Sequence, residues 1–327
     1  MQGTTRVARL AGTVVLLALL SCSAGAMAQA YPVKPVRVIV PFPPGGPVDL
    51  IGRPAAQKLT EALGQPFVVD YKPGAAGMLG SEHVAKSAAD GYTLLVFSSG
   101  HTMNPSTQKA IAYDTLKDFA AVTPIGRSDI IVVTNPKLPV NNLKELIALA
   151  KARPGKLNFA SSGAGGPLHL GAELLKVVAG IDMLHIPYKG AAPALQDVMA
   201  GTADLAFVAS TLGGGLVKSG KVRMIAVASL KRMAAFPDVP TVEENGFPRF
   251  EVSSGGGLVT PAGTPRSIIN QLNGTMEKIL ATAEIKQIFG NVGLEPWWLP
   301  PEQLETWLHN EVDKWQKVTR AIKFQPE

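Results

Sequence analysis

From residue 31 onward the apolar positions switch repeatedly between two spacings. The first unit opens with Val36, Val38, Ile39 and Val40, a β-branched run that stops at Pro41. A turn holding three prolines and two glycines follows, and then Leu50, Ile51, Ala55 and Leu59 recur at helical spacing. Further short apolar runs predict strands at 66–70, 92–97, 130–134, 157–160, 184–187, 203–209 and 222–229. Helical spacing predicts helices through Leu143–Ala150, Leu170–Val178, Pro193–Ala200, Ile268–Ile279 and Leu304–Ile322. Asn142 and Glu145 bracket the start of the first of these, and Thr264-Pro265 reads as the cap and first turn of the fourth. Strand and helix thus alternate, the signature of an α/β fold.

Most of these strands run into loops rich in Gly, Pro and Ser. Phe42–Asp49 closes the first, Lys72–Gly80 the second, and Ser98–Pro105, read as a polar loop, the third. Ser161–His169 and Tyr188–Gly190 repeat the theme farther on, and the strand ending at Ala209 opens onto Ser210 and Thr211. In an open α/β sheet such loops gather at the carboxyl edge of the strands, where ligands bind. Gly45 and Gly46 lack Cβ and permit close backbone approach. A Gly-rich strand-to-helix turn also offers free N–H groups at the positive end of a helix, which suits an anion. Asp49 can cap its helix or bond a ligand.

The first thirty residues differ in kind. Arg6 and Arg9 precede an apolar stretch, Leu10–Leu20, too short to span a bilayer, and small residues follow at Ala26 and Ala28. This pattern predicts a signal peptide, residues 1–28, and export to the periplasm. Cys22, the single cysteine, then leaves with the signal, so the mature chain has no disulfide or thiol chemistry. Leu19-Leu20-Ser21-Cys22 also resembles a lipobox, which makes lipid anchoring at Cys22 the alternative fate. Hydrophobic residues make up 46% and charged residues 17% of the 327, enough apolar matter for a sizeable core. The net charge of +6 is dispersed, without basic blocks or interleaved aromatics, and nucleic acid is not an expected partner.

Reactive constellations are missing. There is no G-x-S-x-G nucleophile elbow and no H-E-x-x-H, and the five histidines have no metal-ligand spacing. Gly215–Lys221 fits G-x-x-x-x-G-K, but Val222 stands where Ser or Thr would hold magnesium, and a strand rather than a helix follows. We therefore expect neither enzyme activity, nor a metal, nor a cofactor. A Ser/His pair within hydrogen-bond reach in the ligand cleft would reopen a hydrolytic reading. The tryptophans at 297, 298, 307 and 315 read as packing.

Several ordered blocks resemble one family over nearly the whole mature chain. They include Tyr31–Arg37, Val40–Gly46, Pro73–Gly77, Asp90–Leu95, Tyr113–Phe119, His185–Gly190, Pro237–Thr241 and Pro261–Pro265. The chain resembles the Bug, or TctC-type, periplasmic solute receptors of tripartite tricarboxylate transporters. The resemblance implies a type II-like periplasmic binding protein fold with two α/β sandwich domains, residues 31–130 plus 252–327 and residues 131–251. A small organic acid, mono- or dicarboxylate and in some cases aromatic, would sit in the cleft between them. Transporter membrane subunits would be the partners of a monomeric receptor; a sensor feeding a signalling kinase is the alternative.

Carried over by resemblance, the site residues of the first domain are Phe42, Pro44, Gly45, Gly46, Asp49, Gly74, Ala75, Gly77, Ser98, Ser99 and Thr102. Those of the second are Ser161, Ser162, Gly163, Gly165, His169, Tyr188, Lys189, Gly190, Val208 and Ser210. Gly45, Gly46, Ser161 and Ser162 are expected to hold the carboxylate, and His169 can instead anchor its helix. The chain departs from the family pattern at Pro54, Gly166, Gly255 and Val208. Val208 replaces a common Asp, which implies a less polar carboxylate rather than an amino acid.

Overall fold

The computed structural model describes residues 31–326, so the expected signal segment and Cys22 lie outside the described residues. The first strand, β1 (Val36–Val40), pairs in parallel with β2 (Phe67–Tyr71) and β3 (Thr93–Ser98). Helix α1 (Pro47–Leu63) joins β1 to β2, and α2 (Met78–Ala85) joins β2 to β3. Pro47 stands at the start of α1, where a missing N–H is harmless, and Gly64 ends it in the left-handed conformation. The helix continues past Pro54 without a break.

Two strands hold the two domains together. β4 (Phe119–Thr134) pairs with β9 (Ser253–Pro261) along residues 119–129, and its last five residues turn to a different partner, β7 (Leu205–Ala209). β5 (Asn158–Ser161) and β6 (Leu184–Pro187) extend the sheet beyond β7 in parallel, so the strands run in the order β2-β1-β3-β9-β4-β7-β5-β6. β8 (Arg223–Val227) and β10 (Glu295–Pro296) pair antiparallel with β4 off this path. Each end of β4 thus belongs to a different sheet, each clothed by helices. The result is the expected pair of α/β domains.

In the second domain, α4 (Leu143–Ala152), α5 (Pro167–Ala179), α6 (Ala191–Ala200) and α7 (Ser210–Lys218) cover the sheet. Asn142 accepts the Glu145 N–H at 2.9 Å and Glu145 reaches back to the Asn141 N–H at 2.7 Å, a reciprocal cap. α8 (Arg266–Ala281), α9 (Ala283–Asn291) and α10 (Pro301–Ala321) complete the chain. Pro265 itself occupies the N-cap of α8, and the Thr264 hydroxyl donates to Pro261 O instead. α10 is a strut. Leu304 and Leu308 join the first core with Ile39, Phe97 and Val259, whereas Trp315 and Val318 join the second core with Phe159 and Phe207.

Two of the departures from the sequence reading bear on the site. Ser98–Pro105 is not simply a loop, because Gly100–Thr107 forms helix α3, with Pro105 inside it. β9 was not legible because Gly255, Gly256 and Gly257 break any strand pattern. Each is needed: a Cβ on Gly256 would lie 1.9 Å from Phe97 O, and one on Gly257 2.3 Å from Thr123 O. The backbones of β3 and β4 approach too closely for any side chain at these positions.

Candidate functional site

A cavity of about 500 Å³ lies where the loops of both domains meet. Four helices start at its wall. Pro47 and Val48 of α1 and Ser99 and Gly100 of α3 come from the first domain; Gly166 and Pro167 of α5 and Ala209 and Thr211 of α7 come from the second. The first N–H groups of each helix have no acceptor within it, so all four starts offer donors and positive potential.

The hydroxyls around the cavity fall into two groups. Ser99 Oγ bonds Ser253 O, Gly255 O and the Gly255 N–H, which fastens the β3–α3 turn to β9. Ser128 Oγ lies 3.1 Å from Ser210 Oγ, and Thr107 Oγ1 donates to Met103 O. By contrast Ser98, Ser162, Ser254 and Thr211 line the cavity with no side-chain hydrogen bond among the described residues. No Asp, Glu, Lys, Arg or His lines it. No group of three His, Cys, Asp or Glu among the described residues could hold a metal ion.

The residues carried over by resemblance divide accordingly. Phe42, Ser98, Ser99, Ser162 and Gly165 line the cavity. Pro44, Gly45, Gly46, Asp49, Gly74, Ala75, Gly77, Thr102, Ser161, Gly163, His169, Tyr188, Lys189, Gly190, Val208 and Ser210 do not. Many of these hold the wall in place. The Asp49 carboxylate is buried and accepts the Gly45 N–H at 2.7 Å and the Tyr71 hydroxyl at 2.7 Å, with Arg53 paired to it. Burial raises its pKa, but the bonds from Arg53, Gly45 and Tyr71 outweigh this and leave it below the usual carboxylate value. Gly77 lets the Phe42 ring approach to 3.0 Å of where a Cβ would stand. The Thr102 hydroxyl bonds Ser99 O, and the Tyr188 hydroxyl bonds Asp197.

Val208 is 1% exposed and packs in a separate cluster with Ile131, Val133 and Leu195, where its side chain is 2.9 Å from a Cβ position on Gly213. Its replacement of Asp therefore has no direct contact with the cavity, and its neighbour Ala209 is the lining residue. Several lining residues went unrecognised, among them Asn104, Thr107, Ser128, Thr211, Ser254, Val292 and Leu294. They stand on segments where the sequence pattern was silent or read as a loop.

Behind the 161–166 loop lies a stack of rings. His169 and His185 are 3.9 Å apart and nearly parallel, with the Phe159 ring 4.8 Å from His185 and 6.1 Å from His169. His169 Nδ1 accepts the Gly165 N–H at 3.1 Å, so His169 anchors the loop. Burial holds His169 at about 3, with help from neighbouring His185 and Lys176, and holds His185 at about 4, so both rings are neutral at pH 7. Ser161 Oγ lies 2.7 Å from His185 Nε2, the kind of pair that would favour hydrolysis. Yet Ser161 is 1% exposed, lies outside the cavity and also bonds both the N–H and O of Gly163. The pair braces the loop, and its serine faces no substrate.

The sequence and fold have close counterparts. The family described as "Tripartite tricarboxylate transporter family receptor" matches residues 51–324. BugT of Bordetella pertussis is 37% identical over 310 residues, covering 94% of each chain. A solved R. palustris protein, Rpa4515 with adipate, is 32% identical with a TM-score of 0.74, covering 91% of this chain and 100% of that one. MatC of Rhodopseudomonas palustris with bound malate is 30% identical with a TM-score of 0.70, covering 88% and 99%. The chain belongs to the receptor family of the tripartite tricarboxylate transporters, periplasmic solute-binding proteins that are not enzymes.

Proposed function

We propose that this protein captures a small organic carboxylate in the cavity between its domains and delivers it to the membrane subunits of a tripartite tricarboxylate-type transporter. The observation that carries this reading is an uncharged cavity surrounded by four helix starts and four unpaired hydroxyl residues. Such a site holds an anion by N–H and O–H donors, and binding avoids breaking a pre-existing buried ion pair. Ser98, Ser162, Ser254 and the first-turn N–H groups are the proposed carboxylate donors. The domains, divided near residues 131 and 251, close on the ligand by bending where β4 and β9 pass between them. The adipate and malate held by the two R. palustris relatives support the ligand class.

The receptor works in the periplasm after cleavage behind Ala28, as a monomer. No helix among the described residues is long and apolar enough to cross a membrane. The test is a thermal-shift screen of the mature chain against mono-, di- and tricarboxylates. A ligand at a hundredfold excess over its Kd stabilises the folded chain by about 2.7 kcal/mol. A saturable upward shift with a carboxylate is expected; the same shift with its uncharged amide, or none with any acid, overturns the assignment.

A further inference from the structure

We propose that the preferred ligand carries one carboxylate on an apolar body, and that Val292 and Leu294 select it. This rests on the carboxylate-receptor reading and narrows it. The cavity wall carries an aliphatic patch. Val48, Leu50 and Ile51 of α1 form one side, and Val292 and Leu294 come from the segment after α9, which packs against α1. Three of the four unpaired hydroxyls belong to other segments, Ser98 at the end of β3, Ser254 in β9 and Ser162 in the loop before α5, and the fourth, Thr211, stands where α7 meets Gly293.

The four helix starts are also unequal. α3, α5 and α7 have no acidic residue in the first turn. α1, on the aliphatic side, has Asp49 there, ionised and already holding the Gly45 N–H. That negative charge offsets the favourable potential of its own helix end. A second carboxylate directed at this side would meet aliphatic carbons and no lining cation. Burying an unpaired charge in such surroundings is strongly unfavourable. A methyl-terminated chain or a ring meets a surface it can dehydrate.

The 292–294 segment is well placed to select, because it reaches the second domain. A Cβ on Gly293 would lie 2.9 Å from the Thr211 side chain, so this segment touches the first turn of α7 at the cavity edge. A ligand enclosed there is pressed between Val292, Leu294 and α1.

The matched pair hexanoate and adipate tests the idea, since both have six carbons and differ only in whether the far end is methyl or carboxylate. Calorimetric titration of the mature chain with each, and with hexanamide, separates the two levels of the argument. We expect hexanoate to bind at least about tenfold more tightly than adipate, and hexanamide far more weakly than hexanoate. Val292→Thr, nearly isosteric, should weaken hexanoate severalfold and narrow its preference over adipate. Adipate binding as tightly as hexanoate or tighter overturns the apolar-body assignment and leaves the carboxylate receptor standing. Hexanamide matching hexanoate, or no binding by any of the three, overturns the receptor reading as well.

Discussion

His101 is a buried imidazole with no hydrogen-bond partner on either ring nitrogen, and acid should expose it as a weak point. It packs among Phe97, Tyr113 and Phe119, with ring centroids 6.0, 5.8 and 4.9 Å away. Burial lowers its pKa from 6.5 to about 4. Above pH 6.5 the ring is neutral in both folded and unfolded chains and stability is independent of it. Between 6.5 and 4 the unfolded chain takes up a proton that the folded chain refuses, so stability falls as pH falls. Below 4 the loss is complete. At 1.36 kcal/mol per pH unit, the whole interval amounts to about 3 kcal/mol.

His101→Phe keeps an aromatic ring in the same cluster and removes the titration. Urea unfolding of wild type and variant, followed by tryptophan fluorescence at pH 7 and pH 4.5, isolates this contribution. The carboxylates and the His169–His185 stack are present in both proteins and cancel. The variant should lose less stability between pH 7 and pH 4.5 than wild type, by about 2.4 kcal/mol. Equal losses would refute the argument: His101 would then either take its proton within the fold or find a partner there.

Three further outcomes follow from the site and its frame. Asp49→Asn removes the buried charge that accepts the Gly45 N–H and the Tyr71 hydroxyl. It should lower unfolding free energy at pH 7 by about 1–3 kcal/mol, and the difference should vanish in acid as pH falls through the lowered Asp49 pKa. Gly293→Ala places a Cβ against Thr211 at the point where the domains touch, with φ at +68°. A penalty of about 1.4 kcal/mol on the closed form would weaken ligand binding tenfold, read by titration beside an unchanged far-UV spectrum. Gly256→Ala drives a Cβ onto Phe97 O and should destabilise the β3–β9 pairing by about 4 kcal/mol or more, seen as loss of soluble protein.

Local pattern was enough for most of the α/β skeleton. β1 and β5 are visible as short apolar runs because both their faces are buried, α4 is visible in helical spacing because it buries one face, and the Asn142–Glu145 cap is a short-range device that needs no distant partner. The gathering of loops at one edge also follows from strand–helix alternation. What local pattern could not show is which loop residues face the cavity. Gly45 and Asp49 look like ligand groups in sequence, yet they bond each other, because Tyr71 and Arg53 close around the carboxylate from β2 and the next turn of α1. Ser161 and Ser162 are neighbours of the same type. One is buried against His185, and the other lines the cavity with its hydroxyl unpaired.

Tertiary approach decided the remainder. Gly255–Gly257 form a strand only because β3 and β4 come too close for side chains, and α3 forms from a Ser/Pro-containing stretch whose Thr102 and Met103 are buried beneath the cavity. Val292 and Leu294 join the wall through the packing of α9 on α1, more than two hundred residues apart in sequence, a contact that no window along the chain contains. Sequence determines which segments can be buried, since spacing records a face. Which atoms are left facing the ligand depends on which hydrogen bonds the folded chain has already used.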